Sequence, residues 1–196
     1  KGKAFCAGQD LEEATNPNAP NITKIIQEHY NPIIRKIRCL EKPVIAAVNG
    51  VAAGAGASIA LCCDIIVAKE SASFVQAFSK IGLIPDSGAT FFLPRLIGSQ
   101  KATAIMMTAD KINSKEAEKM GMIYKTFPDK SFESESWSLA KKLAKMPTKG
   151  LALTKKLLNS SYSNNLEEQL KIEKNYQKQA ADTADFKEGV SAFLEK

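Results

Sequence analysis

Early in the chain, Ile22, Ile25, Ile26, Tyr30, Ile33, Ile34 and Ile37 recur at the spacing of one helical face. Asn21 stands where a side chain can cap that helix, and Pro32 inside it should bend it. Ahead of the helix, "KAFCAGQDL" is a short apolar strand that turns at Gly8, followed by the polar loop "EEATNPNAPN". "PVIAAV" and "DIIVA" are unbroken apolar runs, the pattern of parallel-type strands buried on both faces. Between them "GAGASIALCC" reads as an Ala-rich helix from about Gly54, able to pack very close to its neighbours. "SASFV" is a shorter extended piece. "FSKIGLIPDSGATFFLPRLIG" predicts a loop at Pro85–Gly88 and a short helix up to Leu96. "SQKATAIMMTAD" reads as helix, "NSKEAEKMG" as a capped helix with Glu116 in the box position, and "MIYKTFP" as the last strand. Beyond Asp129 only helical patterns follow. The pattern therefore predicts an α/β region over residues 1–128 and an all-helical region over 129–196.

Composition narrows this picture without redirecting it. The 196 residues are 44% hydrophobic and 24% charged, an ordinary globular balance. No apolar run approaches the roughly 20 residues needed to cross a bilayer, so no membrane partner is expected. The chain opens on "KGKAFCAGQDL" without Met, as if cut in mid-fold, and its true start is expected upstream of Lys1. The net charge of +6 suits an anionic ligand or nucleic acid. The basic residues, however, are mostly Lys spread over the C-terminal helices, a solvated surface rather than a nucleic-acid footprint. Cys6, Cys39, Cys62 and Cys63 form no CxxC pair, which argues against a zinc or dithiol site. Adjacent Cys62 and Cys63 read as small buried hydrophobes in a reducing cytoplasm.

Candidate chemistry is limited by what is absent. His29 is the single histidine and lies in the amphipathic helix. "GASIA" around Ser58 lacks the closing Gly of a nucleophile elbow, and its His would have to precede the Ser. "GAG" after a strand lacks the third Gly and ribose acid of a dinucleotide loop. What remains is backbone. A helix beginning at Gly54, Ala55 and Gly56 exposes unpaired N–H groups behind almost no side chain, and "FCAGQDL" supplies a second Gly-containing strand end. Two such N–H groups on one carbonyl oxygen can stabilise an enolate. The same small residues also serve tight helix packing, and composition alone favours that use. The carboxylates near loops are Asp10, Asp64 and Asp86. Asp64 suits a cap at a helix-to-strand junction. Asp86, flanked by Leu83, Ile84 and Pro85, is either a general base in an apolar pocket or an N-cap of the next helix.

Taken together, "KAFCAGQDL", "KPVIAAVNGVAAGAGASIALCCDI", "FSKIGLIPDSGATFFLPRLIG", "AEKMGMIYKTFP" and "FKEGVSAFLEK" resemble, in that order, the crotonase (enoyl-CoA hydratase/isomerase) superfamily. "YNPIIRKI" and "LEEQLKIEKNYQKQAADTADFKEGVSAFLEK" bring the resemblance nearer to its ring-epoxide isomerases of phenylacetate degradation. The resemblance implies an α/β fold, a spiral of ββα turns with a C-terminal helical trimerisation region and with the opening strands missing here. It implies an acyl-CoA thioester as substrate, no cofactor beyond the coenzyme A of that substrate, and a homotrimer or dimer of trimers. The thioester oxygen would be held by the N–H groups of Gln9 and Ala55, with Asp86 at the acid/base position of several isomerases of the superfamily. Hydratases that resemble one another carry two Glu where this chain has Ser58 and Phe78, which points away from simple water addition. Ala7 resembles the position whose backbone meets the adenine, and Phe193 and Lys196 a C-terminal pair that contacts coenzyme A. Phe78 and Phe92 are candidate walls for an aromatic or ring-derived acyl group, with core packing the favoured reading for Phe92. Ala89 departs from the second Gly usual after Asp-x-Gly. Isomerisation through a thioester enolate is the expected reaction; hydration, thioester hydrolysis and a non-catalytic coenzyme A-binding role are the alternatives.

Overall fold

The structure is a computed structural model and describes residues 2–12, 16 and 20–195. By internal contacts the chain divides into two compact units. One comprises the residues up to Arg38 together with Val44–Trp137; the other comprises Cys39–Pro43 and the residues from Ser138 onward.

The first unit is built on two small sheets fed alternately by the chain. β1 (Ala4–Cys6), β3 (Val51–Ala53) and β5 (Ser73–Val75) run parallel in one sheet, with the two-residue β6 (Ile112–Asn113) antiparallel at its edge. β2 (Ile45–Val48), β4 (Ile65–Lys69) and β7 (Lys125–Phe127) form the other, all parallel. The register places Ile45 beside Ile65 and Val48 beside Ala68, so both apolar runs lie flat in one layer. β2 passes into β3 across only Asn49 and Gly50, and the chain changes sheet there. α2 (Ala55–Leu61) follows β3 at once, which completes one strand–strand–helix turn of the expected spiral. Its buried face joins Val48, Ala52, Phe74, Leu93 and Met122 in one core.

The early amphipathic run forms helix over residues 22–39, here α1: an α turn at Ile22–Ile25, a π turn at Ile26–Tyr30 and α-helix again over Asn31–Cys39. The Asn21 side chain accepts from the Lys24 N–H at 2.9 Å, as its cap position predicts. Pro32 has no N–H to give and crowds the preceding turn; the helix widens there and continues. The expected single apolar face is accordingly uneven. Ile25 is buried and Ile34 and Ile37 pack on the core, whereas Ile22 and Ile33 are exposed. The rest of the unit's helices are α3 (Ala89–Ile97), α4 (Ser99–Thr108) and α5 (Ser114–Lys119). Asn113 caps α5, its side chain accepting from the Glu116 N–H at 2.9 Å.

The second unit is helical. α6 (Phe132–Ala144) leads into it, followed by α7 (Thr148–Ser160), α8 (Leu166–Ala181) and α9 (Ala184–Leu194). α8 starts with a complete capping box between Asn165 and Glu168. The buried Lys155 ammonium donates to the Lys42 carbonyl at 3.1 Å, and Glu41 takes Lys156 in an ion pair. No helix among the described residues is long and apolar enough to cross a membrane.

Candidate active site

Two glycines bring β1 and α2 into contact. A Cβ built on Gly56 would lie 2.2 Å from the Cys6 carbonyl oxygen and 2.7 Å from the Cys6 Cβ, so α2 rests directly on the β1 backbone. Just past β1, Gly8 has φ +91°, and a Cβ there would stand 3.0 Å from the Ala53 oxygen and 3.3 Å from the Ala55 nitrogen. Only glycine takes this backbone and this approach without strain. The loop carrying Gln9 is thereby held against the first residue of α2. The Gly54 N–H is spent on the Val75 carbonyl at 2.9 Å, which extends the β3–β5 ladder by one bond. Among the described residues neither the Gln9 nor the Ala55 amide is matched to an acceptor. The small-residue run thus serves packing at Gly56 and bare backbone at Ala55 together.

These segments line a cavity of about 630 Å³, the size of an ordinary small-molecule site. Ala7, Gly8, Gln9, Gly54 and Ala55 form one wall; Ile22, Ile25, Ile26 and Tyr30 of α1 form another. Ala77, Phe78, Lys80 and Ile81, from the 3₁₀ turn Ala77–Ile81, close a third side with Leu83 and Asp86. The lining is mostly aliphatic, so its few polar groups stand out chemically. The Phe78 ring lies over Gly54, its Cζ 3.9 Å from where a Cβ would be.

Asp86 is half-buried in this lining. Burial raises its carboxyl above the ordinary aspartate value, and a hydrogen bond from the Ser87 hydroxyl to Oδ1 at 2.9 Å opposes that rise. The N-cap alternative is not what the structure shows. α3 begins at Ala89 behind Gly88, without a side-chain cap, and Asp86 contributes only its carbonyl, which accepts from the Ala89 N–H at 3.0 Å. Ser87 (φ +51°) and Gly88 (φ +79°) are both left-handed, which turns the chain sharply after Asp86. For a serine that conformation costs about 1 kcal/mol. Ser87 is nonetheless buried and tied to the carboxylate.

The other sequence candidates lie elsewhere. Asp64 accepts from the Val44 N–H at 2.8 Å and from Arg38 at 3.2 Å, a structural junction outside the cavity. Asp10 is exposed and accepts from the Glu12 N–H at 3.0 Å. Ser58 is fully buried, its hydroxyl donating to the Gly54 carbonyl at 3.2 Å. His29 is exposed on the π turn. Phe92 belongs to the core, edge-on to Phe91 at 5.1 Å, and not to the cavity wall. Ala89 is buried at the start of α3. Phe193 is 77% exposed on α9 in the helical unit, and Lys196 lies outside the described residues. Sequence reasoning misses Tyr30, Lys80 and Ser87. By spacing Tyr30 is one more apolar helix position; the signal available is a phenol set among isoleucines.

A sequence profile of the enoyl-CoA hydratase/isomerase family matches residues 1–196. The chain is 46% identical to 1,2-epoxyphenylacetyl-CoA isomerase of Escherichia coli (strain K12) over 199 residues, covering all of this chain and 76% of that protein. It is 44% identical to a probable enoyl-CoA hydratase of Rhodobacter capsulatus, again covering all of this chain and 76% of the relative. A crystal structure of an enoyl-CoA hydratase from Polaromonas sp. JS666 superimposes with a TM-score of 0.93 at 35% identity, over 100% of this chain and 77% of that one. The two-sheet spiral and its C-terminal helices are thus the crotonase fold, and the chain belongs to the enoyl-CoA hydratase/isomerase family.

Proposed function

We propose that this chain is an acyl-CoA isomerase acting through a thioester enolate, on a 3-enoyl-CoA or on a ring-epoxide thioester such as 1,2-epoxyphenylacetyl-CoA. The observation that carries the reading is a single carboxylate, Asp86, among the described lining residues of the cavity that also holds Gln9 and Ala55. The two main-chain N–H groups take the thioester oxygen and stabilise the negative charge that develops on it; one such donor is worth about 3 kcal/mol. Asp86 removes the proton from the carbon next to the thioester. On a 3-enoyl-CoA the electrons move into the enolate and the same proton returns at the far end of the conjugated system. On the ring epoxide the carbon–carbon bond shared by the two rings opens to the oxepin, and the proton taken from the side chain returns on the enlarged ring. With Oδ1 occupied by Ser87, Oδ2 carries the proton. A carboxyl raised by burial is a better base than a solvated one. One acid/base group suffices because no water is added.

Ser58 and Phe78 support this choice over hydration. The Ser58 hydroxyl is buried and internally bonded, and the Phe78 ring accepts no proton. The name of the Rhodobacter relative favours hydration as a second reading. The apolar wall formed by Phe78 and the α1 isoleucines suits a ring-derived acyl group. Coenzyme A contacts by Ala7, Phe193 and Lys196, a homotrimeric or hexameric assembly and a cytoplasmic setting are further parts of the proposal. The test is turnover of a 3-enoyl-CoA to its conjugated 2-enoyl isomer, followed as rising ultraviolet absorbance, beside a ring-epoxide thioester and a hydration assay. Asp86→Asn is expected to abolish isomerisation. Activity that survives the substitution, or hydration as the main reaction, overturns the reading.

A further inference from the structure

We propose that Tyr30 is a positioning residue for the Gln9 amide and works through the Gln9 side chain. The kinetic part of this inference rests on the isomerase reading above; the structural part does not. The Tyr30 hydroxyl donates to Gln9 Oε1 at 3.1 Å, across 21 positions of sequence. The other hydrogen bond of that side chain, from Nε2, goes only to the neighbouring Asp10 carbonyl at 3.4 Å. On its inner side the loop is held by the approach of Gly8 to Ala53 and Ala55. Gln9 supplies a hold on its outer side through a tie that reaches across the fold to Tyr30. Fixing the end of a glutamine side chain narrows the rotation of its own Cα, and hence the direction of the peptide N–H attached there.

Tyr30 is well placed for this task. It is half-buried at the end of the π turn, just before Pro32, on a helix that packs on the core through Ile34 and Ile37. A phenylalanine would fill the same wall; the hydroxyl adds a hydrogen bond where water competes weakly. π turns of this kind concentrate at functional sites. The geometry makes the widened helix the reference against which one oxyanion donor is set.

The experiment compares the wild-type chain with Tyr30→Phe, Gln9→Leu and the double variant, by hydrogen exchange and by turnover. Tyr30→Phe keeps the ring and Gln9→Leu keeps the backbone N–H. Amide exchange over residues 7–12 is expected to rise about fivefold in either single variant, the worth of one hydrogen bond. Exchange over β4 stays unchanged. kcat falls about tenfold, KM stays within about twofold and the acid limb of the pH profile does not move, because a displaced donor weakens the transition state more than binding. The double variant is no worse than the worse single one. Losses that multiply in the double variant place the hydroxyl on the substrate and overturn the inference, as does unaltered exchange in Tyr30→Phe. If the wild type isomerises no thioester, the isomerase reading fails, and the exchange data alone decide the Tyr30–Gln9 tie.

Discussion

Gly56→Ala tests the joint on which the site is built. The new methyl would sit 2.2 Å from the Cys6 carbonyl oxygen and 2.7 Å from both the Cys6 carbonyl carbon and Cβ. These are strand atoms, not the far end of a flexible side chain, so no rotamer change relieves the clash. To regain van der Waals separation β1 must retreat from α2 by more than about 1 Å. Overpacking of this kind costs about 1–3 kcal/mol, which lowers the thermal midpoint by roughly 2–12 °C in a chain of this size. The functional loss is expected to be larger than the stability loss. β1 leads straight into Gly8 and Gln9, so under the proposed function the same movement withdraws one donor from the thioester oxygen, and a misplacement of about 1 Å costs on the order of 100-fold in rate. Gly189→Ala is the control. It lies inside α9 with nothing within 4 Å of its built Cβ, and alanine there should stabilise by up to about 1 kcal/mol. Thermal unfolding of both variants and kcat of the folded protein are the measurements. A Gly56→Ala protein that melts and turns over like the wild type would refute the reasoning that α2 rests on the β1 backbone.

Three further outcomes are expected. Because burial raises the Asp86 carboxyl in the folded state, the folded chain binds its proton more readily than the unfolded chain. The favourable contribution of that proton is complete below the ordinary aspartate value of 3.8 and is lost as pH rises through the raised folded value. Asp86→Asn, inactive, should therefore unfold at higher denaturant than the wild type at neutral pH and lose that advantage below the ordinary value; equal stability at all pH values would contradict the burial argument. Ser87→Ala removes the hydrogen bond that lowers the same carboxyl, so the acid limb of the kcat/KM profile should move to higher pH, and a profile that stays in place would count against the contact. Asp64→Ala strands the Val44 N–H and takes one acceptor from Arg38, which keeps the Cys62 carbonyl, and should destabilise by about 1–3 kcal/mol, with kcat of the folded fraction unchanged; a selective loss of kcat would move Asp64 into the chemistry.

Much of the architecture was legible because it is encoded within a few residues of itself. The caps at Asn21 and Asn113 are contacts across three positions. The strands at Ile45–Val48 and Ile65–Lys69 and the helices beyond Asp129 follow from local periodicity. β3 was not legible: Val51–Ala53 is three residues between a strand and a helix, and it becomes a strand only because β1 and β5 flank it. Pro32 announced a disturbance in α1 but not its form, since whether a helix breaks, kinks or widens depends on what packs beside it.

Residues near one another in the chain set most of the elements, the bare backbone at the start of α2 and three carboxylates near loops. Folding settles which of the three shares a cavity with that backbone. Asp64 turns to Val44 and Arg38 and Asp10 to the Glu12 amide, while Asp86 reaches the cavity through a turn with two left-handed residues. It also decided that Tyr30, spaced like any apolar residue of its helix, finds Gln9. The physical reason is the range of the forces: caps and periodicity act within a turn or two of backbone, whereas burial and close approach depend on segments that are neighbours only once the sheets have formed.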